Sequence, residues 1–249
     1  MNFLVQKVDN KIVHDYAFEL AQAKEYFDWR RIDKLSIRYL NYVNLLGTTV
    51  KNPDRYIPVG EVGFVTAYIQ QFYPQAADAL RPLNVPPELF PYAGRTIVNV
   101  DSAEDLDVFK TPRLFVKSNK RIKWPGNGPV PVDVDMRMLL GCQVSEVVEV
   151  GSEWRVFVFR NQIQHIANYG GECTLFPDAV SIKSMIGTYA EKAPVAYTLD
   201  VGVKPGGETF VMECHRFFSC GLYGFNDHAV IPYMLSQAWF EIRTGQFEK

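Results

Sequence analysis

Cysteine is scarce and unpatterned in this chain. Its four copies, Cys142, Cys173, Cys214 and Cys220, include no C-x-x-C pair, and no histidine lies at zinc-finger distance. That argues against the common zinc frameworks and leaves buried free thiols as the expectation. Long apolar runs are missing too: none approaches the roughly 18 residues that a membrane helix needs. The opening run Met1-Asn2-Phe3-Leu4-Val5-Gln6-Lys7 turns polar after Val5. That is too early for a signal peptide, and the run predicts a first strand in a cytoplasmic protein. Charge of one sign is not in excess. Lys and Arg total 26 against 28 Asp and Glu, a net charge of −2, which speaks against a nucleic-acid coat or a membrane surface. There is no G-x-S-x-G elbow and no G-x-x-x-x-G-K-[ST] phosphate loop. Internal repeats and low-complexity tracts are absent. What is left is 249 residues, 47% hydrophobic, enough for one large or two modest domains.

The most informative stretch runs from Tyr197 to Arg216. Two alternating runs flank Lys204-Pro205-Gly206-Gly207-Glu208, a hairpin signal. A four-residue loop, Pro205 to Glu208, sets Val203 against Phe210, Val201 against Met212 and Leu199 against Cys214. The other face then carries Asp200 opposite Glu213 and Thr198 opposite His215. Cys214 and His215 fall on opposite faces, which disfavours a nucleophile pair. Directly opposed carboxylates repel, and a hard divalent cation is the simplest reason to place them so. Pairing shifted by one residue, or a solvated polar face, fits the same alternation.

Two earlier segments bear on that choice. Leu114-Phe115-Val116-Lys117 is an apolar run that ends in a cation, followed by a basic loop with Lys120, Arg121 and Lys123. Glu146-Val147-Val148-Glu149-Val150-Gly151-Ser152-Glu153-Trp154-Arg155 then leads into an alternating strand, Val156 to Phe159. A lysine at a strand end, an E-x-x-x-x-G-x-E segment and a carboxylate-bearing hairpin, in that order, resemble the ATP-grasp family from about Thr111 to Phe225. Val59 to Arg95 resembles the lead-in of short stand-alone members.

The resemblance implies a fold and a chemistry. The fold is α+β, two subdomains gripping a nucleotide, with a small α/β lead-in domain over residues 1–105 and the ATP-grasp-like domain over 106–249. Lys117, Lys120 and Lys123 would meet phosphates, with Lys123 closing over the triphosphate. The hinge Glu146, Val148 and Glu149 would hold adenine through backbone groups and apolar walls, and Glu153 the ribose. Arg155 would meet the γ-phosphate or an acyl intermediate. Asp200, Glu213 and His215 would hold Mg²⁺, or Mn²⁺. The family usually has Asn where His215 stands, and imidazole is a poor Mg²⁺ ligand; Ser118 replaces a frequent Pro.

The activity implied is ATP-dependent joining of a carboxylate to an amine or thiol, through an acyl phosphate, with release of ADP and phosphate. The partners would be ATP and a small-molecule or peptide substrate. A non-catalytic nucleotide-binding module and a kinase acting on a hydroxyl are the alternatives. Removing both metal carboxylates, as Asp200→Asn with Glu213→Gln, is expected to abolish metal-dependent ATP affinity with the fold intact.

Elsewhere, apolar spacing predicts helices over Tyr16 to Arg30, Glu61 to Phe72 and His228 to Arg243. Ile37 to Leu46 is ambiguous. The prolines at 82, 86, 87 and 91 make Ala76 to Pro91 a connector. Tyr169-Gly170-Gly171 reads as a strand end or as a loop over the site.

Overall fold

The structure is a computed structural model that describes residues 1–12, 14–41, 50–122, 124–131 and 134–245. It is a mixture of helices and sheets, as expected. By density of internal contacts the chain forms two compact units. Unit 1 holds Met1–Leu80, Pro194–Tyr197 and the segment from Arg216 onward; unit 2 holds Arg81–Ala193 and Thr198–His215. The opening segment of unit 1 ends at Leu80.

Unit 1 is built on a parallel sheet. Strand β1 (Asn2–Lys7) lies between β2 (Ser36–Asn41) and β3 (Ile57–Val59). Phe3 pairs with both Ile37 and Ile57. Phe3, Leu4 and Val5 are fully buried; a central parallel strand covered on both faces needs such an unbroken apolar run. The ambiguous Ile37 to Leu46 is thus strand as far as Asn41, and its remainder lies outside the described residues. Helix α1 (Asp15–Arg30) buries Tyr16, Leu20, Ala23 and Phe27 on one stripe, while Tyr26 is only half-buried. Gly60 precedes helix α2 (Val62–Phe72), and a Cβ there would lie 2.4 Å from Oε1 of Gln6. That Oε1 accepts the Glu61 N–H at 2.6 Å, so only glycine permits the approach.

Unit 2 contains two antiparallel constructions. The first has the order β4 (Ile97–Asn99), β7 (Cys142–Glu146), β5 (Arg113–Ser118), β6 (Gly128–Pro131). Leu114, Val116, Cys142 and Val144 from this sheet join Val100, Phe109 and Leu139 in a small core. The second sheet runs β11 (Thr209–Arg216), β10 (Ala196–Val203), β8 (Ser152–Phe159), β9 (Gln162–Gly171). Arg160 and Asn161, both at positive φ, make the tight β8–β9 turn. Tyr169 to Gly171 is strand: Gly170 pairs with Glu153 and Gly171 with Ser152. Helix α3 (Ala179–Tyr189), absent from the expectations above, is capped by Asp178, which accepts the Ser181 N–H at 2.7 Å. Helix α4 (Ile231–Thr244) returns the chain to unit 1, with Pro232 in its first turn. Among the described residues no helix is long and apolar enough to cross a membrane. Cys142, Cys214 and Cys220 are buried free thiols, whereas Cys173 is exposed.

Candidate functional site

Alternation along β5 sends Leu114 and Val116 into the small core and Phe115 and Lys117 to the other face. On β7, Ser145 pairs with Phe115 and Gln143 with Lys117. These four side chains line one wall of a cleft of about 220 Å³. Glu146 at the end of β7 and Val147, Val148 and Val150 beyond it add to the lining, as do Phe210 and Met212 of β11. The cleft is therefore mostly apolar with a few polar groups, the composition of many small-molecule sites, and Lys117 of its lining is in contact with Glu213.

Arg95 belongs to the same wall. Its guanidinium donates to Oγ of Ser145 at 3.3 Å, to the carbonyls of Ala93 and Val211 at 2.9 Å each, and to that of Met212 at 3.5 Å. It thereby fastens β7 to β11. Burial pushes its pKa down to about 10 against the pull of Glu213, so it stays charged at neutral pH.

Two ion pairs form the charged end. Nε and Nη2 of Arg155 donate to the two oxygens of Asp200 at 2.8 and 2.7 Å, a bidentate pair. Both members are buried, at 8% and 1% side-chain exposure, and the guanidinium lies 5.5 Å from the Tyr169 ring centre. Lys117 contacts one oxygen of Glu213, and Nε2 of His215 sits 3.0 Å from the other. Burial would raise the Glu213 pKa, but the His215 and Lys117 charges outweigh it and hold the carboxyl well below its usual range. The Tyr169 hydroxyl is pushed far up, first by burial and then by the Asp200, Glu153 and Glu213 charges. Asp200, Glu213 and His215 each offer a donor atom within 4.8 Å of the others. Two carboxylates and an imidazole suit a divalent cation.

The hairpin that carries these groups closes differently from the expectation. The Lys204 N–H donates to the Glu208 carbonyl at 2.9 Å and Gly207 N–H to the Lys204 carbonyl at 2.8 Å, with Gly207 at φ +90°. The loop is thus three residues, Pro205 to Gly207, the form that uses a left-handed glycine. Gly202, not Val203, then faces Phe210: a Cβ on Gly202 would lie 2.5 Å from that ring. Strict pairing from this loop would set Met212 against Asp200, yet Glu213 and His215 are the residues that meet it. Arg95 reaches the successive carbonyls of Val211 and Met212, which a regular pleat points apart. Met212 lines the cleft together with Phe210.

Of the other sequence candidates, Glu146 and Val148 lie on the cleft wall, and the Glu146 carboxylate accepts the Thr96 N–H at 2.9 Å. Glu149 and Lys120 are exposed and off that wall. Glu153 is half-buried beside Gly170 and also off it. Lys123 lies outside the described residues. Sequence reading did not assign Phe115, Gln143, Phe210 or Met212. Period-2 counting from Lys117 identifies Phe115; the rest depend on pairing between distant strands.

The family model of the ATP-grasp domain, R-2-K clade family 2, matches residues 92–232. No curated protein sequence matches the chain. Among solved structures it is similar to D-cycloserine synthetase DcsG, at 11% identity and TM-score 0.59, covering 97% of this chain and 100% of that one. It is also similar to D-alanine–D-alanine ligase from Bacillus anthracis, at 15% identity and TM-score 0.53, covering 98% and 99%. A third is ATP-grasp ligase PsnB complexed with a minimal precursor, at 10% identity and TM-score 0.53, covering 95% and 98%. The fold is the ATP-grasp fold, and the chain belongs to the second family of that clade of ATP-grasp domains.

Proposed function

We propose that this protein is an ATP-dependent ligase that joins a carboxylate to an amine or thiol through an acyl phosphate. The observation that carries the reading is the meeting of Lys117, Arg155, Asp200, Glu213 and His215 around the charged strand pair, with Lys117 also lining an apolar cleft.

In this reading adenine lies in the cleft between Phe115, Val148 and Met212, its edge hydrogen-bonded by backbone groups of residues 147–150. Glu153 takes the ribose. Lys117 moves its ammonium from Glu213 onto phosphate oxygens, where it acts as a point charge. Lys120 and Lys123 close over the same phosphates. Arg155, held in one orientation by Asp200 and Tyr169, stabilises charge as phosphate passes to the substrate carboxylate. Asp200, Glu213 and His215 would hold Mg²⁺ or Mn²⁺, which when bound neutralises phosphate charge. The protein contributes positioning and charge neutralisation more than covalent chemistry, and the amine proton leaves with the departing phosphate.

The acceptor is a small molecule or a peptide, in keeping with the similar structures of a D-cycloserine synthetase and of a ligase with its precursor. A nucleotide-binding module without turnover is the second reading, favoured by the imidazole of His215 in the cation site. Calorimetric titration of ATP with and without Mg²⁺, followed by acceptor screening for ADP release, tests both. Metal-dependent binding with acceptor-dependent ADP and phosphate supports the ligase. Metal-dependent binding without turnover across a broad screen supports the module, and no binding under either condition overturns both.

A further inference from the structure

The Glu213–His215 contact admits two meanings. Oε1 of Glu213 and Nε2 of His215 are 3.0 Å apart. That is a hydrogen-bond distance. It is also the separation of two neighbouring donors on one octahedral ion, since donors at about 2.1 Å and a right angle lie roughly 3.0 Å apart. The third donor, on Asp200, falls within 4.8 Å of both, and joins the ion by giving up one of the two bonds that it accepts from Arg155. The imidazole and the Glu213 side chain are 29% and 24% exposed, which leaves room for water or phosphate oxygens on the remaining positions.

Such a set is mixed, with two oxygens and one nitrogen. Mg²⁺ takes oxygen donors almost alone, holds its water tightly and gains little from imidazole. First-row transition ions gain from nitrogen, in rising order from Mn²⁺ onward, and Mn²⁺ still accepts carboxylates and water readily. We propose that His215 is a metal-selecting ligand that tilts this site away from Mg²⁺ and toward Mn²⁺ and its first-row neighbours. The proposal rests on the nucleotide-binding reading above and specifies its ion.

The test uses the full chain with a non-hydrolysable ATP analogue. Mn²⁺ is added and its electron spin echo modulation recorded on protein labelled with ¹⁵N-histidine and on unlabelled protein. Direct ligation gives a nitrogen coupling that changes with the label and is lost in His215→Asn. In parallel, Mg²⁺ competes for bound Mn²⁺. The Mn²⁺-over-Mg²⁺ preference should be about tenfold larger in the native protein than in His215→Asn. His215→Gln, which keeps a hydrogen-bonding arm on Glu213, should behave as His215→Asn does. A label-independent spectrum, or an unchanged preference in both variants while the analogue still binds, overturns the proposal and leaves His215 as a hydrogen-bonding support for Glu213. Failure of the native protein to bind the analogue with either ion overturns the nucleotide reading itself.

Discussion

The two carboxylates of the charged end sit on neighbouring strands and are held in opposite ways. Asp200, on β10, is 1% exposed and gripped by both arms of Arg155. Glu213, on β11, is 24% exposed, touched by Lys117 at one oxygen and by His215 at the other. A planar guanidinium in a two-point clasp has one orientation, and removing either partner strands a charge away from water. An ammonium on a flexible stem at a half-open edge is exchanged cheaply. The inner pair therefore acts as framework and the outer pair as a place where partners change.

Substitution at the inner pair should have the largest effect. Asp200→Asn leaves Arg155 buried without its counter-charge and should cost about 3 kcal/mol, read as a lower urea midpoint. The sequence-based expectation of an intact fold for the double substitution then holds for Glu213→Gln and not for Asp200→Asn. An unchanged midpoint would dissolve the contrast. Next, Lys117→Met should lower ATP affinity about 30-fold, the value of a charged hydrogen bond, with adenosine affinity nearly unchanged and stability altered by under about 1 kcal/mol. Equal losses for both ligands would make Lys117 framework as well. Phe115→Ala, at the apolar end, should weaken ATP and adenosine alike, by about tenfold, in the same titration. The smallest effect concerns acid. The folded-state pKa of Glu213 is depressed, so its contribution is full above the ordinary glutamate pKa and is lost as pH falls through the lower folded value. Urea midpoints measured downward from about pH 4.5 should fall less steeply in Glu213→Gln than in the native protein.

Much of this was legible in the residues. The strand at Asn2–Lys7, the strand ending in Lys117 and the helix over Val62–Phe72 follow from apolar spacing alone. The motif order carried the family, and hairpin alternation already set Asp200 near Glu213; these two and His215 do lie together. Helix α3 was equally legible in principle, since Asp178 precedes Ile182, Met185, Ile186 and Tyr189 at helical spacing; the strand-rich surroundings hid it. The loop Pro205 to Gly207 was not legible, because a pattern of period two does not fix the residue at which a turn closes. Nor could the sequence show that Arg155 clasps Asp200, because that contact joins residues 45 apart through strand order.

Unit 2 is complete once the chain has reached His215, but unit 1 waits for residues beyond Arg216. Its sheet and α1 precede unit 2 in the chain. Trp239 of α4, which packs on Tyr68 and Tyr73, follows it. In a growing chain the unit with the cleft can thus close while the earlier unit still exposes the apolar surface that α4 will cover. During synthesis, chaperones and proteases would meet unit 1 in its unfinished state.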